Sequence, residues 1–244
     1  MEKEEKKFKL TDNFKINGLG IKLFQIQAIV DIEARKVKTG DLGGYIEKED
    51  NLSGNAWVYG NAEVYGNAEV YGNAEVYGDA RVYGDARVYG DAWVSGNAWV
   101  YGNAWVYGDA RVSGNAEVYG DAWVSGDARV YGDAWVSGDA RVYGDARVYG
   151  DARVYGDARV SGDARLEASA GYAKGWFIGG DDSGKIINIT EETGSDYWGS
   201  QYVLGDYVIE DKKVDSHREN NNELSLTRRV EKLEQIVKNL EERA

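Results

Sequence analysis

Residues 64–88 read VYGNAEVYGNAEVYGDARVYGDARV, one six-residue word repeated with small changes. The word continues in both directions. An aliphatic residue returns at every sixth position from Val58 to Val160, with Leu52 before and Leu166 after, and an alanine stands two residues ahead of each valine. Side chains two apart on a strand share a face, so alanine and valine point inward together while the Trp, Glu or Arg between them points outward. Each word ends in Gly followed by Asn or Asp, which suit tight corners and positive φ. Strict hexads with small or branched inward residues predict an all-β fold: a triangular left-handed parallel β-helix with three words, about eighteen residues, to the coil. The calcium-binding β-roll, with its nine-residue repeat and paired glycines, does not match. About twenty words make six or seven coils, and at about 4.8 Å per layer the rod is about 30 Å long.

The array occupies residues 46–166, and four other segments flank it. Residues 1–45 form a head that caps the array. Its run LFQIQAIVDI (23–32) alternates Phe24, Ile26, Ala28, Val30 and Ile32 with Gln25, Gln27, Ile29 and Asp31, which is strand periodicity broken only at Ile29. Residues 167–211 read as a β-rich module with strands near 176–178, 185–189 and 201–209. A polar linker, 212–223, leads to a helix at 224–244. There Leu226, Val230, Leu233, Val237 and Leu240 alternate four and three apart, a heptad seam too short to be stable without partners. The stretch RVEKLE (229–234) is similar to a trimer-specifying coiled-coil pattern in which Arg229 pairs with Glu234 of the partner subunit. The expected assembly is a parallel homotrimer.

Composition narrows the function. The 244 residues carry a net charge of −13, with no cysteine and no proline. The absence of cysteine excludes disulfides, thiolate metal sites and cysteine nucleophiles. The acidic balance repels phosphate, which disfavours nucleic acid and an anionic membrane surface as partners. The polar start of the chain lacks the apolar core of a signal peptide, and no apolar run reaches membrane-spanning length. A cytoplasmic location is expected, with a virion location left open.

The outward letters follow a rule. Outward array glutamates follow Asn, as in Asn61 with Glu63 and Asn115 with Glu117, whereas outward arginines follow Asp, from Asp79 with Arg81 to Asp163 with Arg165. Neighbours of opposite sign on one face attract. With an eighteen-residue phase, Arg111, Arg129, Arg147 and Arg165 form one column beside Asp109, Asp127, Asp145 and Asp163. That arrangement is a solvated ion-pair surface or, alternatively, an anion-binding track. Trp93, Trp99 and Trp105 fall one on each face of a middle coil, with Trp105 stacked on Trp123. Together with Trp135 they form a ladder, a subunit contact or a ligand platform. A small anionic or aromatic ligand held by these tryptophans and arginines is the binding expectation. Tyr59, Tyr65, Tyr71, Tyr77, Tyr83 and Tyr89 fill the next outward or corner position.

Residues 40–68, GDLGGYIEKEDNLSGNAWVYGNAEVYGNA, resemble hexapeptide-repeat β-helix proteins of bacteriophages and prophages, some described only as transferase-like. The resemblance spans about residues 38–165 and implies the β-helix and a phage or prophage origin, with no activity attached. Enzymes of the wider hexapeptide superfamily use histidines, as general base in acyltransferases or as zinc ligands in γ-type carbonic anhydrases. This chain has one histidine, His217, in a polar linker, and one imidazole neither makes a zinc site nor is held near a substrate there. GGDDSGKI (179–186) approaches a phosphate-binding loop but puts Ile186 where Ser or Thr should bind magnesium, adds Asp181 and Asp182, and continues into β-branched residues, so a hairpin is expected. The matched arginines compete with any cation for the Asp columns, so neither cofactor nor metal is expected. The leading expectation is a non-enzymatic trimeric scaffold. Its alternative is a phage protein sequestering a small nucleotide-like signal in inter-subunit grooves, and a transferase is disfavoured for want of a suitable histidine.

Overall fold

The structure, a computed structural model, describes residues 6–162 and 164–166, together with the backbone of four further short strands ending at residue 209. The heptad residues Leu226, Arg229, Val230, Leu233, Glu234, Val237 and Leu240 lie outside the described residues, as do linker 212–223, His217 and Asp163.

The hexads form nineteen short strands, β4 (Trp57–Val58) through β22 (Arg165–Leu166), one to each word. Strand neighbours are always three apart in sequence, which sorts the strands into three parallel sheets and gives about seven coils. Register joins each residue to the one eighteen further on, as Trp93 to Arg111 and Val94 to Val112. A word donates up to three backbone hydrogen bonds to the next coil, as in Trp93 N–H to Ala110 O (2.9 Å), Ser95 N–H to Val112 O (2.9 Å) and Asn97 N–H to Gly114 O (2.8 Å). The inward assignment is borne out, since every alanine and valine from Ala56 to Val160 is buried. At the corners glycine alone takes positive φ, between 59° and 76° from Gly54 to Gly162, while the Asn or Asp that follows does not.

In the head, β1 (Phe8–Ile16) and β2 (Lys22–Ala28) form an antiparallel hairpin. β3 (Leu42–Ile46) pairs antiparallel with β2 on one side and parallel with β5 (Glu63–Val64) on the other, so the head extends one sheet of the array. The expected strand at 23–32 is corrected in two respects. It ends at Ala28, and a register shift between Gln25 and Gln27 changes the inward face, burying Leu23, Ile26 and Ala28. Phe24 moves out of the inward set to meet Phe14 (ring centroids 6.4 Å), and Val30 is exposed. Beyond the strand, Ile32 turns back to the core and bridges to Val37 around a 3-10 turn at Glu33–Arg35. Lys38 Nζ and then the backbone and hydroxyl of Thr39 donate to Asp31, holding its carboxyl down to about 2. A second 3-10 turn, Glu49–Asn51, places buried Asn51 so that Nδ2 donates to Ala68 O (2.8 Å) and Gly66 O (3.2 Å), tying this second turn to the coil above it.

After the array, β23 (Gly171–Tyr172) and β24 (Trp176–Ile178) continue two sheets in parallel, and β25 (Ile186–Ile189) and β26 (Tyr207–Ile209) add antiparallel strands. Ile186 thus opens a strand antiparallel to β24 where a phosphate-binding loop requires a helix.

Candidate functional site

The eighteen-residue register converts the outward letters into three columns. The first holds Trp57, Glu75, Trp93, Arg111, Arg129, Arg147 and Arg165. The second holds Tyr45, Glu63, Arg81, Trp99, Glu117, Trp135 and Arg153. The third holds Glu69, Arg87, Trp105, Trp123, Arg141 and Arg159. The four expected arginines therefore share one column, and Trp93, Trp99 and Trp105 fall on three different faces. Trp105 and Trp123 stack with centroids 5.4 Å apart and planes within 13°.

The expected attraction between an Asp and the Arg two residues on does not produce an ion pair at the first three members of the arginine column. Among the described residues no ion pair joins Asp109 to Arg111, Asp127 to Arg129 or Asp145 to Arg147. The strand contains only the Arg and the Val, so Asp sits in the corner, and the same-face rule for residues two apart does not reach across a corner. Asn and Asp instead bond along their own columns: Asn61 Nδ2 donates to Asp79 (3.2 Å), Asn67 to Asp85 (3.1 Å), Asn103 to Asp121 (3.0 Å) and Asn115 to Asp133 (2.8 Å). Outward charges likewise pair between layers, Arg81 with Glu63 (3.5 Å) and Arg87 with Glu69 (3.6 Å).

Guanidinium groups repeatedly lie over indole rings one layer away. Arg81 lies 5.2 Å from Trp99, Arg87 5.1 Å from Trp105, Arg111 4.6 Å from Trp93, Arg141 4.6 Å from Trp123 and Arg153 4.7 Å from Trp135. These separations suit cation–π attraction. The third column consequently runs Arg87, Trp105, Trp123, Arg141 with every indole face covered. A groove of about 340 Å³ lies beside it, lined by Asn103, Trp105, Asp121, Trp123, Asp139 and Arg141. Only ring edges are left to face that groove, and its two aspartates oppose an anionic guest. No three carboxylates or imidazoles converge as a metal site among the described residues.

Tyrosines build corner ladders. Tyr65, Tyr83, Tyr101 and Tyr119 stack at 4.9 Å per step, and Tyr71, Tyr89 and Tyr107 at 4.8 and 5.0 Å. Burial, then Tyr83 and the Glu63 carboxylate, push the Tyr65 phenol up to about 12. Tyr71, Tyr83, Tyr89 and Tyr101 are raised as well, each chiefly by burial. A phenol with a raised folded pKa stabilises the fold fully below its ordinary value of about 10 and loses that contribution as pH climbs through the folded value. An alkaline titration followed at Tyr65 by residue-resolved NMR is expected to show its phenolate appearing together with loss of the β circular dichroism signal, above about pH 10. Ionisation of Tyr65 near pH 10 with the fold intact would show that its site is open to water.

Six stretches, residues 80–96, 92–108, 110–126, 122–138, 140–156 and 152–167, match the YdcK beta solenoid repeat. The array is a β-solenoid repeat. All nine expected ligand-contact residues, from Trp93 to Arg165, occupy the outward position of this solenoid's words within the matched stretches. No curated protein matches the chain.

One residue of the solenoid's outer surface escaped the sequence reading. Arg35, from the head's first 3-10 turn, reaches the first column, donating to Glu75 and to Asp91 (3.1 Å) with its side chain 9% exposed. Trp57, an outward letter, is 1% exposed, in the cluster that joins Phe8, Ile32 and Val37 to the array. Nothing in residues 33–36 signals this role, because the contacts are 40 and 56 residues away in sequence.

Proposed function

We propose that the protein is a non-enzymatic scaffold: a left-handed, three-sided solenoid rod, phage or prophage encoded, assembled as a parallel homotrimer through residues 224–244. The observation that carries this reading is the occupancy of the indole faces. All five tryptophans expected to contact a ligand have an arginine over one ring face, and the second faces of Trp105 and Trp123 are closed by their stacking on each other. Outward residues so used hold successive coils together and extend the rod. A nucleotide-like guest in the groove beside Trp105 and Trp123 would meet Asp121 and Asp139 and find no free ring face, which argues against the sequestering alternative on that face.

In a rod of this kind, coils are additive. Duplicating residues 139–156, one coil, is expected to lengthen the particle by about 4.8 Å in small-angle X-ray scattering without lowering the melting temperature. A duplicated variant that melts earlier or keeps its length would reject the additive rod. Analytical ultracentrifugation of the full chain, and of a chain ending at residue 223, tests the assembly: a trimer and a monomer are expected, and a monomeric full chain would overturn the trimer.

A further inference from the structure

The Arg35 contact on the first column has a counterpart forty-two residues on, at which no arginine among the described residues pairs with the glutamate. Glu75 lies in register between Trp57 and Trp93. The phenol of Tyr59, sixteen residues before it, donates to the Arg35 carbonyl (3.2 Å) and is raised by burial first and then by the Glu75 carboxylate. Asp91, sixteen residues after it, takes the second guanidinium nitrogen. The second column repeats this set. Glu117 lies in register between Trp99 and Trp135, Tyr101 O–H donates to its carboxylate (3.0 Å), and Asp133 stands sixteen residues after it. The supporting residues repeat too: Asn55 Nδ2 donates to Asn73 Oδ1 at 3.0 Å, as Asn97 does to Asn115, and Ser95 and Ser137 follow the upper tryptophans. Among the outward glutamates of the array, Glu63 and Glu69 have no indole in register on either side, so the two sets are a pair.

The two sets differ in occupancy. At the first, the guanidinium of Arg35 joins Glu75 and Asp91 under the head. At the second, Arg81 and Arg153 cover the outer faces of Trp99 and Trp135, leaving the inner faces turned toward the Glu117 layer, and Trp135 is 36% exposed. The two indoles stand two layers, about 9.6 Å, apart. A flat group midway lies about 4.8 Å from each, inside the range for cation–π contact and matching the 4.6 to 5.2 Å of the five arginine–tryptophan pairs among the described residues. An indole reaches farther from the backbone than a carboxylate, so Glu117 forms the floor and the tryptophans the walls. A guanidinium matches both requirements, being planar for the walls and a fork of donors for the floor.

We propose that Trp99, Tyr101, Glu117, Asp133 and Trp135 form a socket for an arginine side chain of a partner protein, with Glu117 and Asp133 standing where Glu75 and Asp91 take Arg35 within this chain. The proposal goes beyond the scaffold reading and does not depend on trimerisation. With 5-fluorotryptophan in the full chain, titrating the peptide acetyl-Gly-Arg-Gly-amide is expected to shift the fluorine resonances of Trp99 and Trp135, assigned by Trp99→Phe and Trp135→Phe, and to leave Trp57 unmoved. The matching peptide with citrulline, neutral and isosteric, is expected to shift neither. Glu117→Gln should weaken the response at least tenfold, and Glu117→Arg, which supplies a guanidinium to the layer from within, should abolish it while keeping the fold. Methylguanidinium separates the sources: binding at least tenfold weaker than the peptide supports an arginine within a protein, and equal or tighter binding overturns that in favour of a free small guanidine. Equal shifts from the arginine and citrulline peptides, an unchanged response in Glu117→Gln, or uniform movement of all tryptophan resonances would overturn the socket itself.

Discussion

Replacing Gly114 with alanine is expected to cost about 3 kcal/mol, the sum of two separable terms. Gly114 has φ +72°, where a Cβ meets the following carbonyl and costs about 1 to 2 kcal/mol. A Cβ built there also lies 2.9 Å from both the nitrogen and the oxygen of Gly132 in the next coil. Those are backbone atoms held in a ladder, in which Asn115 N–H donates to the Gly132 oxygen at 2.8 Å. Relief means prising two layers apart, and overpacking of this sort costs about 1 to 3 kcal/mol. Gly60 isolates the first term, because it has φ +61° but its nearest neighbour, Gly78 O, is 3.7 Å from the built Cβ. Gly60→Ala is therefore expected to cost about 1 kcal/mol. Urea unfolding of both variants makes the comparison, and equal losses would mean that the layer contact contributes nothing.

The same close stacking explains which features were legible in the sequence. Where one word repeats, each residue's surroundings are copies of its own, so the inward role of Ala and Val, the eighteen-residue phase, the arginine column and the Trp105–Trp123 stack all follow from one period. Features that depend on departures from the period were hidden. Asp109 and Arg111 are two apart but separated by a corner, so a rule for extended strands assigned them a contact that the fold does not make. The bulge near Gln25 and Gln27 exchanges faces within the head, where no repeat fixes the register. The covering of Trp105 by Arg87 and of Trp123 by Arg141 was implicit in the columns, yet it emerges only when outward letters are read along a column rather than along the chain. The Arg35 contact could not be seen at all, since it joins an irregular turn to an array residue forty positions away.

Arg35→Ala is expected to release the head from the array at a cost of about 3 kcal/mol, the lower end of what breaking a buried ion pair costs. The pair is well covered, with side-chain exposures of 9% for Arg35 and 18% for Glu75. Removing the guanidinium leaves the Glu75 carboxylate partly buried between Trp57 and Trp93 without the cation that pairs with it among the described residues. Asp91, more exposed, recovers its solvation and adds little. If the cost is that of an uncompensated charge, Glu75→Gln in the Arg35→Ala background should restore part of the stability, whereas simple loss of arginine packing would leave the double variant no better than the single. Hydrogen exchange locates the damage: the bridge between Ile32 and Val37 should lose protection while the middle coils around Val118 and Val124 keep theirs, because coils in a repeat array depend mainly on their neighbours. Uniform loss along the array would mean that Arg35 supports the whole fold rather than clamping its end. The clamp matters because the first coil's end would otherwise present strand edges and the Ala and Val interior to other molecules. Release of the head should therefore also make the variant aggregate in a concentration-dependent way, starting from that end.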